Sequence, residues 1–293
     1  MRLFIKDTLT CAAFIFLMAA TIVLTLGAKQ QNQELQYKYD YMENRADSIK
    51  TLLLGHSHFA NSINPHVIDS TFDLAVSARI SLFDARLAER YVPQMPHLHA
   101  VVYPLAYEQE AGAAYLNPEL YGDLMYAYRR YMHLNDLPLY ETRKGELSYW
   151  KKYIRRSLTY QAYYSTWKCD SLGYCSLKDE VSDTRSANFA PGSAAKVTES
   201  LKRMARVCSE NGVRLIVVTN PTNNTFLKHT VTKEGVDSLY SIIRSVDSLY
   251  PIEYHCYLDD PQFRDSTLFH DQTHLNHRGA TLFAERVKKD FGL

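Results

Sequence analysis

The chain has 293 residues, of which 46% are hydrophobic, 22% charged and 12% aromatic. That is enough for one large folded domain and too apolar for a disordered chain. Its 33 Lys and Arg balance 32 Asp and Glu to a net charge of +1, so no overall basic field selects nucleic acid, and no nucleic-acid-binding motif occurs.

From Thr8 to Ala28 no residue is charged. A run of about 20 apolar residues spans a bilayer core as a helix. Arg2 and Lys6 precede it, which keeps the N-terminus cytoplasmic and sends everything after Lys29 outside. A cleaved signal peptide is the competing reading; Leu26, at position −3 of a cut after Ala28, is large for such a site. A buried core helix is the third. The polar segment 29–47, with Lys29-Gln30-Gln31-Asn32-Gln33-Glu34, is read as a stalk or short helix lifting the domain off the membrane.

From Ser48 onward, short apolar runs alternate with amphipathic segments, the pattern of strand–helix units around a parallel sheet. Thr51–Leu54 is the first expected strand, Phe72–Val76 the second, Ala100–Tyr103 the third, Leu215–Val218 the fourth and Ile252–Tyr257 the fifth. Helices are expected over Ala85–Tyr91, Val197–Asn211 and Val236–Tyr250, and from after Asn276, a good N-cap, to about Phe291. Leu201, Met204, Ala205 and Cys208 share one face of the second of these; Ala280, Phe283, Val287 and Phe291 share one face of the last.

Residues 107–190 break the rhythm. They hold more than half of the 22 tyrosines and both tryptophans, Trp150 and Trp167. Basic residues such as Arg129, Arg130, Lys151, Lys152, Arg155 and Arg156 crowd their middle. This reads as a mainly helical insertion: a cap with an aromatic inner face, or a lid that meets a glycan or an anionic surface. Cys169 and Cys175 flank a turn-rich loop within it and could pair in an oxidising compartment. Cys11 lies in the apolar N-terminal segment, and Cys208 and Cys256 read as buried thiols. No C-x-x-C or Cys/His zinc spacing occurs.

Two segments far apart carry the chemistry: Leu52-Leu53-Leu54-Gly55-His56-Ser57-His58, and Asp271-Gln272-Thr273-His274-Leu275-Asn276. Gly55 lets the chain turn sharply after the first strand, which leaves Ser57 at the C-terminal edge of the sheet, where open α/β sheets place their sites. Amides at a strand-to-helix turn are free to hold an oxyanion. The loop bearing Asp271 and His274 follows the fifth strand and reaches the same edge. Its Asp-x-x-His spacing lets the carboxylate meet Nδ1 and leaves Nε2 for the serine. Ser57 as nucleophile, His274 as base and Asp271 as its orienting acid are the three parts of a serine esterase. The bland alternatives are a serine that caps a helix and loop residues that bond their own backbone. Asn220, Asn223 and Asn224 follow the fourth strand at that edge and could contact substrate, or serve only as turn residues. Tyr103 and Tyr107 are further candidate donors.

These motifs resemble those of the SGNH/GDSL hydrolase superfamily over roughly residues 50–293. Leu54-Gly55-His56-Ser57-His58 is similar to its first block, with His56 where Asp is usual; Phe72-Asp73-Leu74-Ala75-Val76-Ser77-Ala78 is similar to the second, with Ala78 in place of Gly. Asp271–Asn276 followed by Gly279 resembles the last block. The Gly-x-Asn-Asp of the third block is absent after Tyr103-Pro104-Leu105-Ala106-Tyr107. The resemblance implies a three-layer α/β/α fold with a five-stranded parallel sheet and a catalytic domain over residues 48–293. It also implies Ser57, His274 and Asp271 as the triad and Ala78 as an oxyanion donor, to which the reading of the residues themselves adds Gly55 and Asn220 at the oxyanion and substrate.

An N-terminal anchor over residues 1–28 further resembles the envelope O-acylation subgroup (DltD-like and alginate-acetylation-like proteins). It implies an extracytoplasmic esterase or O-acyltransferase acting on an acylated cell-envelope glycan beside a membrane-bound O-acyltransferase, with no cofactor. Two other readings stand beside it. One is a non-catalytic docking protein on the same scaffold. The other is a metal-dependent hydrolase using His56, His58, Asp271, His270, His274 or His277.

Overall fold

A computed structural model describes residues 2–29, 33–77, 79–107, 127–134, 151, 154–155, 169–178 and 194–293. The chain forms two compact units, Met1–Gln36 with Asn117–Thr166, and Tyr37–Leu116 with Trp167–Leu293.

In the first unit, α1 (Arg2–Lys29) is a continuous helix. Its span Ile5–Ile22 has mean hydropathy 1.6 and is 0% buried, and Phe14, Ile15, Phe16 and Leu17 stand exposed. Thr10 and Thr21 donate their hydroxyls to Lys6 and Leu17 carbonyls one turn back, so these polar groups are satisfied within the helix. Length and composition suffice to cross a membrane. Ala78 and most of the Tyr-rich insertion, including Trp150 and Trp167, lie outside the described residues.

The second unit is built on five parallel strands: β1 (Thr51–Leu53), β2 (Thr71–Asp73), β3 (Ala100–Pro104), β4 (Arg214–Thr219) and β5 (Glu253–Cys256). Their order is β2-β1-β3-β4-β5. Leu53 pairs in register with Asp73 and Val102, and Val218 with Pro104 and His255. The inner strands β1 and β3 are buried along their whole length, as a parallel sheet covered on both faces requires. Side chains alternate between faces. Ala100, Val102, Ile216 and Val218 pack in one core with Phe283, Ala284 and Val287 of α8 (His277–Phe291). On the other face α4 (Ser81–Tyr91) and α5 (Ala194–Glu210) pack together, and α7 (Lys233–Asp247) lies against α5. This is the expected α/β architecture.

Several boundaries differ from those expected from the sequence. β2 ends at Asp73, because the Asp73 carboxylate accepts the Ala75 amide at 2.8 Å and turns the chain out of the sheet. α4 begins at Ser81, four residues before the expected Ala85. α7 begins at Lys233, where the Thr232 side chain caps it, and stops at Asp247. Asn224, one of the residues offered as a turn, opens the short helix α6 (Asn224–His229), which Asn223 caps.

The segment read as a stalk holds α2 (Gln33–Arg45), and its part from Tyr37 onward packs into the domain. Tyr41 stacks on Phe72 of β2 at 3.8 Å and 5°. Lys38, fully buried, donates its ammonium to the Ala75 carbonyl. Glu43 receives Arg90 at 2.9 Å and the Tyr91 hydroxyl at 3.1 Å. The i, i+3, i+4 spacing of Lys38, Tyr41 and Met42 makes one inward stripe, in which the lysine interrupts the apolar signal. Cys169 and Cys175 are thiols, with no disulfide between them.

Candidate active site

β1 delivers the chain to the C-terminal edge of the sheet, and Gly55 makes the turn. Its φ of +123° is strained for any L side chain, and a Cβ there would overlap the Pro104 ring. Ser57 then opens the short helix α3 (Ser57–Ala60), with His56 as N-cap. The second contributor is the loop between β5 and α8. There the Phe269–Leu275 bridge and the His270 amide, donated to the His274 carbonyl at 2.8 Å, close a tight hairpin.

The structure brings Ser57, His274 and Asp271 together. His274 Nε2 lies 2.8 Å from Ser57 Oγ. His274 Nδ1 lies 2.8 Å and 3.0 Å from the two Asp271 oxygens. With Nδ1–H donated to the carboxylate, Nε2 is the bare nitrogen that accepts the serine proton. Asp271 Oδ1 also takes the Thr273 and His274 amides, each at 2.8 Å. Burial pushes the Asp271 carboxyl up, but the His274 hydrogen bond and charge and these two amides outweigh it and hold it below the usual carboxylate value. The ionised acid thus fixes the imidazole's tautomer and orientation. The Asn223 amide, donated to the Gln272 carbonyl at 3.1 Å, ties this loop to the end of β4.

Of the other candidates read from the sequence, two have different tasks. Gly55 N–H is donated to Asp84 Oδ1 at 3.0 Å in a buried position, so it is not offered to a substrate. Asn220 is buried, and its amide donates to the His58 carbonyl at 2.6 Å; it braces the serine turn from β4. Ala78 lies outside the described residues. Tyr107 donates its hydroxyl to the Thr230 carbonyl at 3.2 Å and accepts the Thr232 amide at 2.8 Å, which anchors the α6–α7 connection. Tyr103 is buried in β3. The Ser57 amide makes no hydrogen bond among the described residues, which leaves it available at the turn.

Three groups are not evident from the sequence. The Arg79–Asp84 ion pair, 2.9 Å long with both side chains fully buried, anchors the turns after β1 and β2. Arg79 also holds the Leu74 carbonyl at 2.6 Å, while Asp84 holds the Gly55 amide. A charge at each end of an otherwise uncharged stretch, Arg79 to Asp84, was the available signal. The second is Lys38, which reaches the turn after β2 from α2. The third is the packing of His56, His58 and His274 against one another, residues that the sequence offered together only as metal ligands. His58 stacks on His274 with ring centroids 4.5 Å apart at 24°, and its Nδ1 lies 3.1 Å from His56 Nδ1. Among the described residues no group of three or more His, Cys, Asp or Glu is arranged to hold a metal ion, so the metal-dependent reading gains no support from the donor geometry.

No family model and no curated protein matches the chain. Among solved structures, it is similar to a Streptococcus pneumonia protein that carries the name platelet activating factor, at TM-score 0.50 and 8% identity, over 94% of this chain and 98% of that one. Others are a GDSL-like lipase from Bacteroides thetaiotaomicron (TM-score 0.44, 10% identity, 89% and 98% covered) and a lipase/acylhydrolase from Enterococcus faecalis (0.41, 9%, 83% and 95%). The first likeness is one of fold.

Proposed function

We propose that the chain is a serine esterase or O-acyltransferase of the SGNH/GDSL type. The observation that carries this reading is the unbroken chain from Ser57 Oγ through His274 to Asp271, with both links at 2.8 Å. A serine hydroxyl is a weak nucleophile unless a base takes its proton as it attacks. The arrangement supplies that base, in the right tautomer, at hydrogen-bond distance.

In this mechanism Ser57 Oγ attacks an ester carbonyl and its proton passes to His274 Nε2. The carbonyl π electrons move to oxygen, and the Ser57 amide donates to that oxyanion. Collapse breaks the bond to the leaving alcohol, which takes the proton from His274 and leaves an acyl-serine. Water, or a sugar hydroxyl in the transferase case, then gives its proton to His274 and attacks the acyl carbon; collapse breaks the bond to Ser57 Oγ, which takes the proton back from His274. Asp271 stays ionised and steadies the imidazolium in both halves.

The setting of that chemistry is part of the proposal. α1 anchors the chain in the plasma membrane with its N-terminus cytoplasmic, as Arg2 and Lys6 ahead of the apolar span favour. The domain then faces the envelope, and the substrate is an acylated envelope glycan or a related ester. A membrane-bound O-acyltransferase is the fitting partner for a transferase.

Hydrolysis of 4-nitrophenyl acetate by the full chain in detergent tests the reading. Turnover is expected in the wild type and is expected to fall at least about 10³-fold in Ser57→Ala and His274→Ala. Equal turnover by folded Ser57→Ala, or none by the wild type, would contradict it.

A further inference from the structure

A tetrahedral oxyanion needs more than one donor aimed at it in a water-poor site, and Gly55 and Asn220 are both engaged elsewhere. His56 answers that need. Two groups of His58 converge on His56 Nδ1: the backbone amide at 3.5 Å, as the cap of α3, and the ring Nδ1 at 3.1 Å. An amide can only donate, so His56 Nδ1 must be the acceptor and His58 Nδ1 must carry its hydrogen. A neutral imidazole has one N–H. On His56 it therefore sits on Nε2.

That Nε2–H has no protein partner among the described residues. His56 as a residue is only partly buried, and it directly precedes the nucleophile. It is also held in place: His56 packs edge-on to His58 at 4.9 Å, and His58 in turn stacks on His274. Burial, then the His274 and Arg79 charges, push its pKa down to about 4. It therefore stays neutral when His274 becomes an imidazolium, and adds no second positive charge.

Building on the serine-esterase reading, we propose that His56 is a catalytic residue whose Nε2–H donates to the oxyanion formed when Ser57 attacks an ester carbonyl. No proton is transferred. The hydrogen bond strengthens as negative charge develops on the carbonyl oxygen and relaxes when the acyl-serine forms. The unusual His56-Ser57-His58 order then has a single logic, in which one imidazole donates to the oxyanion and its neighbour fixes the tautomer that lets it do so.

The test compares wild type, His56→Ala and His56→Gln as full chains in detergent, with 4-nitrophenyl acetate as probe and thermal melts as the check on folding. His56→Ala is expected to lose about 10²–10³-fold in kcat at nearly unchanged KM. His56→Gln, whose amide can donate from a similar reach, is expected to regain at least about tenfold of that loss. A kcat for His56→Ala within about threefold of wild type overturns the proposal, and so does a folded His56→Gln as slow as His56→Ala. If His56→Ala does not fold, His56→Met replaces it under the same thresholds. Turnover that needs Ser57 but not His56 rejects the His56 role alone. A wild type without turnover, or turnover independent of Ser57, rejects the esterase reading and this proposal together.

Discussion

At the residue scale, the site depends on buried charges and on the neutrality of two histidines. Asp84 neutralises Arg79 where neither side chain reaches water. Asp84→Ala would remove the carboxylate that the buried Arg79 guanidinium and the Gly55 amide both meet, at a cost of about 3–5 kcal/mol in urea unfolding. A loss under about 1 kcal/mol would contradict that role. His56 is held down to about 4 from 6.5, and His58 well below its usual value, in each case by burial first and then by neighbouring imidazole charge. Unfolding therefore takes up protons, so their contribution to stability is full above pH 6.5 and is lost as pH falls toward 4. The urea midpoint is expected to fall across that window, and to fall less in His56→Gln. An equal fall in both proteins would contradict the assignment.

The element scale shows where sequence patterns were informative and where they were not. In a parallel sheet every strand ends on the same edge. A serine after the first strand and an Asp-x-x-His loop after the fifth were thus placed on one edge, whatever lay between. Asn276 and the stripe through Phe283 and Val287 marked α8 for the same local reason, a cap followed by an amphipathic period. What stayed hidden depends on tertiary partners. Nothing local reveals that the Gly55 amide is taken by Asp84, or that Asn220 faces inward to His58.

α2 is the clearest case at this scale. Its composition is polar, yet Tyr41 stacks on β2 and Lys38 reaches the Ala75 carbonyl in the turn after β2. A chain shortened to begin at residue 48 would lose these contacts. It is expected to melt about 5–10 °C below one beginning at residue 33, since each kcal/mol moves a domain of this size about 2–4 °C. Equal melting temperatures would restore the free-stalk reading. Lys38→Met, which keeps the stem but removes the donor, is expected to cost about 1–3 kcal/mol by leaving a buried carbonyl unpaired; an unchanged urea midpoint would contradict that role.

At the scale of the whole molecule, an exposed apolar helix and a compact α/β domain share one chain. With Phe14, Ile15, Phe16 and Leu17 facing outward, α1 in water would expose a large apolar surface. The full chain is therefore expected to stay with membranes through alkaline carbonate washing, whereas a chain beginning at residue 33 is expected in the soluble fraction. Release of the full chain by carbonate would contradict the anchor. Protease added outside intact spheroplasts is expected to digest the domain, and full protection would contradict the extracytoplasmic placement.

The central claim is that Ser57 is an activated nucleophile. The measurement that tests it most directly is labelling of the full chain with a fluorophosphonate probe, followed by mass-spectrometric mapping of the modified residue. The expected result is a single adduct on Ser57 that disappears in His274→Ala and weakens in Asp271→Asn. No adduct in folded wild-type protein, or an adduct on another serine, would contradict it.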